Sequence, residues 1–134
     1  MSRFFLDTNV LLYLLSGDQD KADRAEALLV AEGFVSVQVL NETIAVCQRK
    51  LKLPWDEIDA LLQSIQAYCS VLALTPEMQQ QAVAIAKRHQ FSIYDANILA
   101  TALLSGCDRI YSEDMQSGFQ LETLTIINPF QTAS

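Results

Sequence analysis

Five short, largely apolar runs punctuate the chain, at residues 4–6, 34–37, 71–74, 109–112 and 124–127. Runs this short and this apolar suit strands buried on both faces. Each is separated from the next by helical periodicity or by a loop. Strands that alternate with helices pair in parallel, because the chain must cross back before it can start the next strand. The chain is therefore expected to be α/β, with a central parallel sheet covered by helices on both faces.

The intervening stretches carry their own boundary signals. Residues 10–15 form a short helix ending at Ser16-Gly17, where Gly17 suits a left-handed terminal position. Asp18 or Asp20 caps a second helix, with Ala22, Ala25, Leu28 and Leu29 inward, and Gly33 breaks it. Further helices are expected over residues 38–51, 54–65, 76–89 and 92–103, the last opened by Ser92 with Asp95 three residues on and stopped by Gly106. No internal repeat or linker divides the sequence, so one domain is expected across residues 1–134, with 131–134 as a fraying tail.

Composition narrows the function classes. A hydrophobic fraction of 51% supports a sizeable core, and 16 acids against 9 Lys and Arg give a net charge of −7. That balance argues against a general nucleic-acid coat, which relies on basic side chains, but leaves room for a site where bound divalent cations reverse the local sign. Cys47, Cys69 and Cys107 are odd in number and lack metal-ligand spacing, so a reducing cytoplasm and buried thiols are expected. No apolar run approaches the roughly 20 residues that span a bilayer, and Asp7 interrupts any signal-peptide core.

Four acids fall at equivalent places. Asp7 and Asp114 follow the first and fourth strands, Glu42 lies early in the helix after the second, and Asp95 opens the helix that feeds the fourth. In a parallel sheet these points lie near the carboxyl edge, where ligands bind. Carboxylates crowded there repel one another, and a purely oxygen donor set favours Mg²⁺ or Mn²⁺ shared with phosphate oxygens. Hydrolysis of a phosphodiester suits that constellation best. Plainer roles exist for each: a strand-end turn for Asp7, a capping box for Asp95, a solvated loop for Asp114, and an ion pair with Arg49 or another base for Glu42.

The run Leu6-Asp7-Thr8-Asn9-Val10-Leu11, then Ser36 and Val39 ahead of Glu42, then Tyr94-Asp95-Ala96 with Ile98, Ala100 and Ala102, then Tyr111-Ser112-Glu113-Asp114-Met115 resembles the PIN-domain ribonucleases. More narrowly, length and motif order resemble the VapC-type toxins of toxin–antitoxin pairs. The resemblance implies an α/β/α sandwich around a parallel sheet of about five strands in the order 3-2-1-4-5. It implies a Mg²⁺- or Mn²⁺-dependent endoribonuclease that uses metal-activated water, with Asp7, Glu42, Asp95 and Asp114 as catalytic, metal-holding acids. Asp7 and Asp95 would be direct ligands. Asn9 would orient the acids, and Ser112 would donate to an acid or a phosphate; Thr8 and Asn9 also suit a simple helix cap. An RNA substrate, a cognate antitoxin and a homodimer are implied as partners, with apolar residues in 10–15 and 58–65 available for dimer contacts.

Given that resemblance, Arg49, Lys50, Lys52, Lys87 and Arg88 become candidate contacts to the RNA backbone, although basic residues at helix ends also complement the helix dipole. Tyr94 would stack on a base or pack in the core. Two other classes compete. A metal-dependent phosphatase would use Asp7 as nucleophile, but commonly carries Asp-x-Asp where this chain has Asp7-Thr8-Asn9. A catalytically silent PIN-like module would bind RNA or protein without needing all four acids.

Overall fold

The computed structural model describes residues 3–131; the expected domain limits and fraying tail reach beyond these. Strand β1 (Phe4–Leu6) buries Phe5 and Leu6 completely and ends at Asp7, whose carboxylate caps the next helix. Helix α1 (Thr8–Leu12) continues as a 3-10 turn over Tyr13–Leu15. Asp18 caps α2 (Gln19–Val30), which buries Ala25, Leu28 and Leu29. Strand β2 (Phe34–Ser36) hands over at once to α3 (Val37–Arg49), because the Ser36 hydroxyl accepts from the Val39 backbone N–H at 3.2 Å and caps it.

Helix α4 (Trp55–Tyr68) leads into the edge strand β3 (Ser70–Leu72). Thr75 and Pro76 open α5 (Pro76–His89), and Gln90 closes it at φ 60°. Ser92 caps α6 (Ile93–Leu104), buried from Ala96 to Ala102, and Gly106 follows it at φ +80°. The chain ends through β4 (Arg109–Tyr111), β5 (Gln120–Leu121) and β6 (Leu124–Ile127).

The strands form one sheet in the order β3-β2-β1-β4-β6-β5, parallel except for β5 against β6. The expected 3-2-1-4-5 order describes its first five positions, with β6 in fifth place. The correction is the sixth strand: β5 pairs with β6 as a hairpin, Leu121 opposite Leu124. Its two-residue turn holds Glu122 at φ 54°, where Gly or Asn is the usual signal. Two glycine readings also change. Gly17 does not adopt a positive φ, and the left-handed residue after α2 is Glu32 at φ 64°. Gly33 is required for space, since a Cβ there would overlap the Phe4 ring.

The order fixes where a site can form. From β1 the chain steps outward to β2 and β3, then crosses back to β4 on the other side of β1. Right-handed crossovers in opposite directions place α1–α4 on one face and α5–α6 on the other. The carboxyl ends of β1 and β4 flank the resulting crevice, which is where open α/β sheets bind ligands. Among the described residues, no helix is long and apolar enough to cross a membrane.

Candidate active site at the carboxyl edge

Asp7 stands at that crevice, only 5% exposed. Its backbone N–H continues the ladder to the Tyr111 carbonyl at 3.0 Å. One carboxylate oxygen, Oδ1, accepts from the Thr8 backbone N–H at 2.7 Å. The other, Oδ2, accepts from the Ser112 hydroxyl at 2.8 Å and from the Asn9 amide at 3.2 Å. Asn9 is itself held, because its Oδ1 accepts from the Glu113 backbone N–H at 2.9 Å. Burial pushes the Asp7 carboxyl from the ordinary 3.8 up to about 6; hydrogen bonds from Ser112 and Thr8 oppose that rise, and the charges of Asp95 and Glu42 add to it.

Glu42 projects from α3 and is half-buried. Its Oε2 accepts from the Thr8 hydroxyl at 2.9 Å and its Oε1 from the Gln38 amide at 3.1 Å. Two neutral donors therefore take the place of the ion pair with Arg49. The same Gln38 amide reaches the Tyr94 carbonyl at 3.2 Å, so one side chain ties α3 to the start of α6. Asp95, in the first turn of α6, is also raised: burial comes first, then the Glu42 charge, with the Ser92 hydroxyl opposing and Asp114 adding. Asp114 is exposed on the loop after β4.

All four acids line one cavity of about 390 Å³, together with Thr8, Asn9 and Lys50. The two ion pairs among the described residues, Lys21 with Glu113 and Arg109 with Asp108, involve none of these acids. Of the other candidate bases, Arg49 and Lys52 are exposed beside Lys50. Lys87 and Arg88 belong to the last turn of α5, and Arg88 lines a different cavity with Leu121 and Glu122. Tyr94 is 66% exposed, so it does not pack in the core.

Two features were missed in the sequence. Gln38 lies four residues before Glu42 on one helix, a spacing that puts both on one face and would have exposed the pair. The second is a lock across the loop bearing Asp114: the Tyr13 hydroxyl donates to Glu113 at 2.5 Å, and Lys21 donates to both at 3.1 Å. Its two contacts to Glu113 join residues 100 and 92 positions apart, so local spacing carries no trace of them.

The donor chemistry fits a hard divalent cation. The acids offer only carboxylate oxygens and repel one another across a partly desolvated cavity. No group of three or more His, Cys, Asp or Glu among the described residues is arranged to hold an ion alone. Mg²⁺ keeps several waters and is commonly held by one or two carboxylates plus phosphate oxygens, so it does not require such a group.

Comparison with known proteins agrees with this architecture. No curated protein sequence matches the chain. Among solved structures, a toxin–antitoxin complex from Klebsiella pneumoniae superposes with a TM-score of 0.74 at 19% identity, covering 98% of this chain and 100% of that one. VapC20 of Mycobacterium tuberculosis, a toxin that cleaves the sarcin-ricin loop, gives 0.64 at 21%, covering 83% and 89%. VapBC2 of Rickettsia felis, bound to a DNA fragment from its promoter, gives 0.68 at 14%, covering 92% and 96%. At these identities the likeness bears on the fold. The PIN domain family model, however, matches residues 4–118, a span that holds Asp7, Glu42, Asp95 and Asp114. The chain belongs to the PIN domain family.

Proposed function

We propose that the chain is a divalent-metal-dependent endoribonuclease and the toxin of a toxin–antitoxin pair. The observation that carries this reading is the cavity itself: four carboxylates, the most buried of them raised to about 6, and no basic ion-pair partner among the described residues. Asp7 and Asp95 would hold Mg²⁺ or Mn²⁺, with Glu42 and Asp114 completing the sphere. Bound there, the cation supplies the Lewis acidity that activates water and neutralises the phosphate.

The chain's own residues do the positioning. Ser112 and Asn9 fix one Asp7 oxygen, Thr8 and Gln38 fix Glu42, and Lys50 offers its ammonium to a backbone phosphate. Arg49 and Lys52 extend that positive rim; Lys87 and Arg88 complement the α5 dipole instead. An antitoxin partner, a homodimer and a cytoplasmic setting belong to the same reading, which is supported by the toxin–antitoxin complexes among the structural neighbours. A phosphatase with Asp7 as nucleophile fits less well. Both Asp7 oxygens are already engaged, and Asn9 occupies the place of the second Asp.

Cleavage of total cellular RNA with Mg²⁺ or Mn²⁺ tests the assignment. Asp7→Asn is expected to lower the rate at least about a hundred-fold, consistent with loss of a residue that holds the charge-stabilising ion. Undiminished cleavage by the variant would overturn the site. No cleavage by the wild type would leave a silent PIN-like binding module.

A further inference from the structure

Two acids stand side by side on the loop after β4, and only one of them lines the acidic cavity. Asp114 lines it with Asp7, Glu42 and Asp95, whereas Glu113 lines a neighbouring cavity with Leu12, Tyr13 and Leu15. Asp114 is exposed and takes no part in the hydrogen bonds that hold this loop among the described residues. Its position is therefore set by the residues on either side. The Ser112 hydroxyl donates to Asp7 at 2.8 Å, and the Ser112 backbone N–H donates to the Ile127 carbonyl at 2.9 Å. The Met115 backbone N–H donates to Ser112 Oγ at 3.2 Å, and Met115 itself is buried.

Glu113 is held from both ends. Its backbone N–H donates to Asn9 Oδ1 at 2.9 Å. In its side chain, Oε1 accepts from the Tyr13 hydroxyl at 2.5 Å and Oε2 from the Lys21 ammonium at 3.1 Å. Lys21 also donates to the Tyr13 hydroxyl at 3.1 Å, and its ammonium lies over the Tyr13 ring, 4.6 Å from the centroid. The Tyr13 ring packs on Phe130 with centroids 4.5 Å apart. Donors from the 3-10 turn after α1 and from α2 thus close on a carboxylate beside Asp114. A partly exposed ion pair of this kind adds little to global stability. What it does fix is the path of the loop.

We infer that Tyr13 and Lys21 are positioning residues for Asp114: by engaging both oxygens of Glu113 they hold the loop with Asp114 at the acidic cavity, and so raise its affinity for a divalent cation. The inference rests on the metal-dependent reading above. A carboxylate on a loop that must be ordered when the ion arrives binds more weakly than one already in place. Charge alone predicts the opposite effect. Without the Lys21 ammonium the surroundings of the acids become more negative, which tightens the hold on a cation. Positioning predicts weaker binding from the same change, so the sign separates the two.

Mn²⁺ is titrated into the metal-free full chain without RNA, and the free ion is followed by electron paramagnetic resonance. Tyr13→Phe keeps the ring against Phe130 and leaves the net charge unchanged; Lys21→Met keeps the aliphatic stem. Each is expected to weaken Mn²⁺ binding about ten-fold or more, the usual scale for losing a residue that orients a metal ligand. Urea midpoints should stay close to wild type, and Lys21→Arg should keep most of the affinity. In an Asp114→Asn background, Tyr13→Phe and Lys21→Met are expected to make little further difference, because the residue they act through is gone. Unchanged or tighter binding by either variant would overturn the inference, as would equal losses in both backgrounds; each result leaves the metal-dependent reading standing. A wild-type chain that bound no Mn²⁺ would sink that reading and the inference with it.

Discussion

Asp7 caps a helix, anchors two hydrogen-bond chains and sits almost wholly out of water, and the last of these makes a measurable demand on the fold. Its carboxyl is raised to about 6 in the folded chain from an ordinary 3.8. A raised acid opposes folding when ionised: the folded state holds the proton more tightly than the unfolded state, so stability is lost as pH rises from about 4 through 6. The shift corresponds to about 3 kcal/mol at pH 7. Asp7→Asn has no such proton to lose. In metal-free buffer with EDTA, the stability of the variant relative to wild type is expected to grow by roughly 2.4 kcal/mol between pH 4 and pH 7, whatever the difference at pH 4. Parallel denaturation curves at both pH values would show that the burial penalty has been misassigned. Asp7 was legible in the sequence because a carboxylate ending an apolar run is conspicuous. The partner of Glu42 was not. Arg49 lies seven residues on, roughly 10 Å along the helix axis, whereas Gln38, one turn away, supplies the contact.

Element boundaries followed sequence signals wherever a side chain makes the boundary. Ser36, Thr75 and Ser92 each accept from a backbone N–H three residues on; Ser92 was readable as a cap, whereas Ser36 lay inside the expected strand run 34–37 and ends its strand one residue earlier. Elements without such markers escaped. The β5–β6 hairpin turns through Glu122 in a left-handed conformation with no Gly or Asn to announce it. Gly33 was visible as a breaker, but its reason, the Phe4 ring lying where a Cβ would go, is tertiary. Two glycines that look alike in sequence should therefore behave differently. Gly33→Ala is expected to lose about 1–3 kcal/mol through overpacking against a strand that cannot retreat. Gly17→Ala, with nothing within 4 Å and no positive φ, is expected to be neutral or to gain up to about 1 kcal/mol. Urea unfolding midpoints with unchanged slopes would measure both, and equal effects would refute the steric account.

The whole molecule carries a net charge of −7, so any salt will screen some self-repulsion and raise its stability a little. A specific divalent site must be told apart from that background. An ion that binds the folded chain alone stabilises by mass action, about 2.7 kcal/mol at a hundred-fold excess over its Kd, or roughly 10 °C in Tm for a domain of this size. Its binding needs the ionised cavity, and therefore competes with the proton on Asp7. Above pH 7, Mg²⁺ or Mn²⁺ is expected to raise the Tm well beyond NaCl of equal ionic strength. The excess should shrink as pH falls through 6, where Asp7 takes up its proton, and should largely vanish in Asp7→Asn at every pH. Thermal scans over that grid need no RNA substrate. If NaCl matched the divalent salt in wild type, the four carboxylates would be only a charged rim, and the metal-dependent reading of the crevice between β1 and β4 would fail.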